Sequence, residues 1–331
     1  MSDQVSLRVV LVGGSGFLGS AVRSRLVDEG HDVTVIGRAP TRQHDRWRHV
    51  NWDARTIGDW ADSLDGADVV MHLAGKRVDC RPTARNIDAL IASRVDTVQL
   101  VGEAVQRVEQ PPAAWVQLSS LAIFGDCGDT IIDESTEVPD TGPRQQVEVC
   151  RLWEEAFGDA TRQIGRTVLL RPAIGIGGVG DPASAQLARL ARFGLGGSVA
   201  GGRQWVSWIR IDDFVDLLYR SITDTEMKGL YHLTSPNPVR NAAFMAAYRH
   251  ATGRKFGLPA PRLVTRIGAT LLGSDPALAI TGRRCVPARL LEEGYRFAGD
   301  DIYDAVQRAV HPSRCLGTCK DNRPLDLAGR Q

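Results

Sequence analysis

The chain predicts an α/β fold: a doubly wound parallel sheet followed by a smaller α/β lobe. Three observations predict it. Short apolar runs alternate with longer amphipathic segments through the first 172 residues, a glycine-rich turn joins the first run to the first helix, and the rhythm changes after residue 172. Strands alternating with helices imply right-handed crossovers and a parallel sheet covered on both faces.

Taken in order, LRVVLV (7–12) is a buried-strand run, and FLGSAVRSRLVDEG (17–30) has helical spacing and ends in glycine. DVTVIG (32–37), HVNWD (49–53), ADVVMHLAG (67–75), AAWVQLSS (113–120) and RTVLLRP (166–172) follow as strands, with helical segments around 56–64, 84–109 and 145–163. The glycine-rich loops GIGGVGD and GLGGSVAGG then flank a helix at 183–193. WVSWIRI (205–211), a helix starting at DDF, and helices near 261–272 and 300–310 complete the pattern. The expected division is a first domain over 1–172, to which a segment at about 205–234 returns, a substrate lobe over 173–311, and a tail over 312–331.

Charge excludes some functions. The 331 residues carry 40 basic and 39 acidic side chains, for a net charge of +1. They are interleaved, with neither the basic, aromatic-studded stripe that suits nucleic acid nor a polybasic patch for a membrane surface. No apolar segment reaches the roughly 18 residues a membrane span needs. The start, MSDQVSLRVVLVGG, lacks the positive charge of a signal peptide. A cytoplasmic protein acting on a small molecule is expected, with a homodimer as one possible assembly. The six scattered cysteines fit reduced thiols. Cys315 and Cys319 read as part of a polar tail, and with no cluster at ligand spacing, no metal is expected.

The run VVLVGGSGFLGSAVRSRL places Gly13, Gly16 and Gly19 between a strand and a helix. The first glycine permits the tight turn, the second lets a pyrophosphate approach the backbone, and the third lets helix and strand pack closely. The helix N-terminus offers free N–H groups to phosphates. Dinucleotide binding follows. Where an NAD-selective site would place a carboxylate for the ribose diol, the second strand ends in Arg38, with Arg42 nearby. A guanidinium suits a 2′-phosphate, so NADP(H) is preferred.

Together, GGSGFLG (13–19), Asp53, HLAG (72–75) and SSLAIFGD (119–126) resemble the extended short-chain dehydrogenase/reductase superfamily. SWIRIDD (207–213), SPNPVRNAAF (235–244) and VPARLLEEGYRF (286–297) resemble its atypical epimerase-family branch, which has its own C-terminal domain and includes cell-division inhibitor homologues. The resemblance spans about residues 7 to 311 and implies a Rossmann-like domain. It implies that Gly13, Ser15, Gly16, Phe17, Leu18 and Gly19 line the pyrophosphate, that Arg38 meets the adenosine phosphate, and that Asp53 meets the adenine edge. It places Leu73, Ala74 and Gly75 beside the adenosine ribose and pyrophosphate, Ser119 and Ser120 near the nicotinamide end, and Arg171, Pro172 and Ala173 along the nicotinamide side. Trp208 and the Asp212–Asp213 pair would join the lobes, the aspartates capping the next helix. Lys76 and Arg77 are candidates to meet an anionic substrate, and Trp208 also falls on the substrate side.

Redox members of that superfamily use a Y-x-x-x-K pair on one helix face, the tyrosine giving or taking the proton that accompanies hydride transfer. The pair should fall within RQQVEVCRLWEE (144–155), yet the slots hold Gln146 and Cys150, or Val147 and Arg151, and no tyrosine occurs before Tyr219. Three readings stay open. Another group supplies the proton (Cys150, Glu148, Asp126 or a water held by Ser120), the chemistry is non-redox such as epimerisation, or NADP(H) is bound without turnover as in a sensor. Cys150 most simply packs, Glu148 and Glu154 most simply face solvent, and His72 is most simply structural.

Overall fold

The alternation of apolar runs and amphipathic segments resolves into strands and helices in the computed structural model, which describes residues 5–177 and 181–312. The first half contains β1 (Arg8–Val12), α1 (Phe17–Asp28), β2 (Asp32–Gly37), β3 (Arg42–Gln43), β4 (Arg48–Asn51), β5 (Val69–His72), α2 (Ala84–Val105), β6 (Ala114–Leu118), β7 (Ile131–Ile132), α3 (Val147–Ala160) and β8 (Arg166–Pro172). The second contains β9 (Ile174–Ile176), α4 (Pro182–Arg192), β10 (Trp205–Val206), β11 (Trp208–Arg210), α5 (Ile211–Thr223), β12 (Gly229–Leu233), β13 (Val239–Arg240), α6 (Asn241–Ala251), α7 (Arg262–Leu271), α8 (Ala277–Ile280), β14 (Arg284–Cys285), α9 (Ala288–Glu292) and α10 (Ile302–Val310).

Eight strands form one sheet in the order β12-β8-β6-β5-β1-β2-β4-β3. All its pairings are parallel except the short β3 edge, where Arg42 lies opposite His49. Period-two alternation explains why these strands read as continuous apolar runs. Val9, Leu11, Val33 and Val35 face one side, against Val22 and Leu26 of α1 and Phe214 and Leu217 of α5. Val10, Val12 and Ile36 face the other, against Val98 and Val101 of α2 and Trp153 and Phe157 of α3.

The segment 205–210 does not enter this sheet. Instead β11 runs parallel to β9, with Trp208 opposite Ile174, while β10 pairs antiparallel with β13. The chain then rejoins the large sheet through β12, whose Leu233 lies opposite Pro172 of β8. A separate core holds α4, α6 and α10 around Trp208, Phe244, Tyr248 and Val306. Trp208 is 0% exposed and its indole N–H donates to the Asn237 carbonyl at 2.9 Å. The expectation of a substrate-contacting Trp208 is corrected, because no face of the ring is open. The aspartates do not cap α5 either: Arg210 is the N-cap residue and no side chain caps the helix. Asp212 pairs with Arg210, while buried Asp213 accepts the Ala298 backbone N–H at 2.7 Å and so ties the C-terminal segment to α5. Cys315 and Cys319 lie outside the described residues.

Candidate functional site

In an open parallel sheet, ligands bind beyond the carboxyl ends of the strands where the strand order reverses. Here that point lies between β1, which continues to β2 on one side, and β5 on the other. Gly13 leaves β1 with φ +80° and donates its N–H to the Ile36 carbonyl at 2.8 Å. A Cβ on Gly13 would stand 2.6 Å from the Ala74 backbone, and one on Gly19 would stand 2.5 Å from the Gly14 Cα. Both glycines are therefore required by contacts within the protein. Gly16 differs, because a Cβ there would meet nothing within 4 Å. It is the N-cap residue of α1, which has neither a side-chain cap nor an acidic residue in its first turn. The positive end of the helix is left open to an anion. Exposed Ser15 and the first helical residues, Phe17 and Leu18, border that opening.

Leu73 donates its N–H to the Val12 carbonyl at 2.8 Å, which holds the β5 loop, with Ala74 and Gly75, against the glycine turn. Arg38 follows β2 and is exposed. Its guanidinium makes no hydrogen bond or ion pair among the described residues, whereas its carbonyl accepts from the Asn51 side chain at 3.1 Å. Asp53 holds its own turn. Its carboxylate accepts the backbone N–H groups of Arg55 (2.8 Å) and Thr56 (2.9 Å) and the Thr56 hydroxyl (2.8 Å), and these bonds lower its pKa. A crevice of about 400 Å³, lined by Arg8, Asp32 and Gln43 among others, adjoins the opposite, N-terminal ends of β1 and β2. It has no part in this arrangement.

Further along the same edge, Ser119 and Ser120 follow β6, and their hydroxyls are used differently. Ser119 is buried and donates to Glu154 Oε1 at 2.5 Å. Glu154 in turn accepts two bonds from Arg171, at 2.9 Å and 2.7 Å. The side chains of this pair are only 13% and 7% exposed, and the Arg171 guanidinium stacks over Phe124 at 5.2 Å. Reading Glu154 as a solvated helix position is thereby corrected, since α3 turns it inward onto β8. Arg171, expected along the nicotinamide side, spends its guanidinium on that pair; Pro172 ends its strand and Ala173 follows, donating its N–H to the Leu233 carbonyl at 2.9 Å. Ser120 is the N-cap residue of the short 3₁₀ turn Leu121–Phe124, where its Oγ accepts the Ala122 N–H at 3.1 Å. Its own hydrogen has no acceptor among the described residues.

Residues 9–232 match the NAD dependent epimerase/dehydratase family. The chain belongs to that family. It is 28% identical over 312 residues to human epimerase family protein SDR39U1, covering 92% of this chain and all of that one. It is 26% identical over 306 residues to epimerase family protein YfhF of Bacillus subtilis, covering 92% of this chain and 98% of that one. Its backbone matches the crystal structure of human SDR39U1 (isoform 2) with NADPH at a TM-score of 0.79 and 27% identity, over 92% of this chain and 99% of that one.

On α3, the two candidate pairs are placed differently. Arg151 is exposed and pairs with Glu155 at 2.7 Å, so the Val147–Arg151 pair does not point inward as a unit. Gln146 and Cys150 do, linked by the Cys150 N–H to Gln146 carbonyl bond at 3.2 Å. Cys150 lies among Leu121, Ile123, Phe124, Ile132 and Cys285, and burial pushes its thiol up to about 12. The thiol is enclosed, and one so weakly acidic is mismatched to neutral-pH proton transfer. Glu148 is tied to Arg144 at 2.5 Å, facing solvent.

The two basic substrate candidates are also engaged. Lys76 donates to the Asn86 side chain at 3.0 Å, and exposed Arg77 pairs with Asp79 at 2.6 Å. His72 is 0% exposed beside Gln117, and burial lowers its pKa to about 3, consistent with a neutral structural residue. Glu154, Arg94 and Arg283 border this region but were not legible as site residues. Their partners come from other elements, and no local spacing signals them. Among the described residues there is no group of His, Cys, Asp and Glu able to hold a metal, and no helix long and apolar enough to cross a membrane.

Proposed function

We propose that the protein is an NADP(H)-dependent oxidoreductase or epimerase of the extended short-chain type that works without the Tyr-x-x-x-Lys pair. The observation that carries this reading is the open space at Gly16 at the uncapped start of α1, flanked by two glycines closed by protein contacts. Room at Gly16 beside an uncapped helix start suits a pyrophosphate. Arg38, free at the end of β2, would hold the 2′-phosphate, Leu73 to Gly75 would border the ribose, and the end of β6 would border the nicotinamide. The SDR39U1 structure with NADPH supports the same cofactor here.

When bound, the cofactor supplies or takes up a hydride. The chain must then handle the proton. Ser120, with its hydrogen free, can donate a hydrogen bond to a substrate oxygen, while Ser119 is held by Glu154. Glu154 and Arg171 fix the wall of the site rather than acting on the substrate. A second reading, binding without turnover, is favoured by one feature: Gln146 and Cys150, the inward pair on α3, offer an amide and a thiol pushed up to about 12. Neither is a ready general acid. Calorimetric titration with NADPH, followed by single-turnover NADPH oxidation with a panel of carbonyl compounds, tests both readings. Tight NADPH binding with oxidation supports the enzyme, binding with none supports the sensor, and no binding removes both.

A further inference from the structure

Beside the start of α3 stands a largely enclosed cation, Arg283. Arg283 forms no ion pair among the described residues. Its Nη2 makes only long hydrogen bonds, to Gln146 Oε1 at 3.4 Å and to Thr281 Oγ1 at 3.3 Å. Asp126 is the nearby acid, but its Oδ1 accepts the backbone N–H of Gly282 at 3.4 Å and of Gly128 at 3.5 Å instead. Gln146 is 2% exposed, and its Nε2 has no hydrogen-bond partner among the described residues. Burial lowers the Arg283 pKa, as it does that of Arg94, whose guanidinium donates only to neutral groups such as the Leu90 and Lys76 carbonyls.

Three guanidinium groups, Arg94, Arg171 and Arg283, act electrostatically on buried Cys150, and among the described residues only Arg171 is paired with a carboxylate. Withdrawing a cation from water without an opposite charge is unfavourable, so such groups are normally paired. Arg283 nevertheless keeps part of its surface open to solvent, while its neighbours come from three elements: the loop after Ser120, the start of α3 and the 281–285 segment. Enclosure, weak neutral contacts and an unpartnered amide donor alongside together describe a receptor for an anion.

We propose that Arg283, aimed by Gln146 Oε1 and with Gln146 Nε2 as a second donor, receives an oxyanion of the substrate, a carboxylate or a phosphate. The substrate class is then an anionic small molecule. This rests on reading the α3 face as the wall of the substrate space. The planar guanidinium fork suits either oxyanion, and a lysine would not reproduce it.

The test titrates wild-type protein, with and without saturating NADPH, with oxalate and separately with inorganic phosphate, by calorimetry. Binding of at least one anion is expected, and the two arms separate carboxylate from phosphate. Arg283→Gln should weaken that binding by at least about tenfold, the scale of a lost charge-assisted bond, with NADPH affinity and melting temperature unchanged. Gln146→Leu, which leaves the charge and removes the amide, should weaken it by about threefold. Should Arg283→Gln fail to fold, an unweakened Gln146→Leu variant overturns the proposal. So does the absence of binding of both anions to wild type, or undiminished binding by a folded Arg283→Gln variant. Failure of the cofactor reading looks different: NADPH binding is absent while Arg283-dependent anion binding persists without it.

Discussion

Glu154 on α3 and Arg171 on β8 form a two-pronged ion pair, at 2.9 Å and 2.7 Å, that closes over the Ser119 hydroxyl. The pair joins the helix that lacks a tyrosine to the strand beside the proposed nicotinamide site. Removing one partner leaves the other charge buried and alone. Glu154→Ala is therefore expected to lower unfolding free energy by about 3–5 kcal/mol, and the double replacement Glu154→Leu with Arg171→Met to recover much of it. Chemical denaturation of the three proteins checks this. A loss below about 1 kcal/mol in the single variant, the range of a solvated surface pair, would show that water screens the pair.

Cofactor selectivity should follow Arg38. Arg38→Ala is expected to cost about 1.5–3 kcal/mol of NADPH binding, the size of a charge-assisted hydrogen bond, and to leave NADH almost unaffected. Calorimetry with both cofactors decides it, and equal affinities in the wild type would remove the assignment.

The three glycines of the turn should separate by phenotype. Gly16→Val places a side chain in open space and is expected to leave the melting temperature nearly unchanged while abolishing NADPH binding. Gly19→Ala drives a methyl into the Gly14 backbone and is expected to destabilise the fold itself, by about 1–3 kcal/mol. Thermal melts beside cofactor titrations test the contrast. A folded Gly16→Val variant that still bound NADPH would count against the whole site.

For the proton, Cys150→Ala should keep NADPH binding and most of any turnover, whereas Ser120→Ala should lose more. The thiol at about 12 stays protonated and enclosed, while the serine keeps a free hydrogen at the strand end. A loss above about a hundredfold in the cysteine variant, on the scale of removing a general acid, would make Cys150 the replacement acid after all.

Two enclosed histidines predict acid sensitivity. Burial lowers both His72 and His232 to about 3. A depressed pKa contributes stability that is present above the unfolded value of about 6.5 and is lost as pH falls towards 3. Between pH 7 and pH 5 each should withdraw about 2 kcal/mol. Denaturant midpoints at the two pH values measure the loss, and replacing either residue by glutamine should flatten the dependence.

The sheet was legible because its strands carry a one-dimensional signal. DVTVIG and RTVLLRP became β2 and β8 with the expected bounds, since apolar β-branched runs end where glycine or proline intervenes. The 205–211 run reads as one strand but splits at Ser207, whose hydroxyl accepts the Cys285 N–H and donates to the Arg283 carbonyl. That bond lies between residues far apart in sequence, and no periodicity reports it. The glycine turn of the proposed cofactor site was readable for the same reason, because its glycines and Arg38 lie within thirty residues. The side-chain contacts around α3 were not. Glu154 looks like any helical glutamate until β8 brings Arg171 to it, and Arg283 looks like any loop arginine until α3 supplies Gln146 as its neighbour.

The return of the chain to β12 also governs how the molecule can be divided. Between Pro172 and Gly229 the backbone builds β9, α4 and the β10–β11 segment before adding the last strand and α5 to the first sheet. A fragment ending at residue 172 would leave β8 as a bare edge and uncover the layer that Phe214 and Leu217 shield, inviting edge-to-edge aggregation. The lobes are therefore interlaced rather than strung in series. Expression of the first 172 residues alone should give insoluble material, whereas the intact chain should melt in a single cooperative transition.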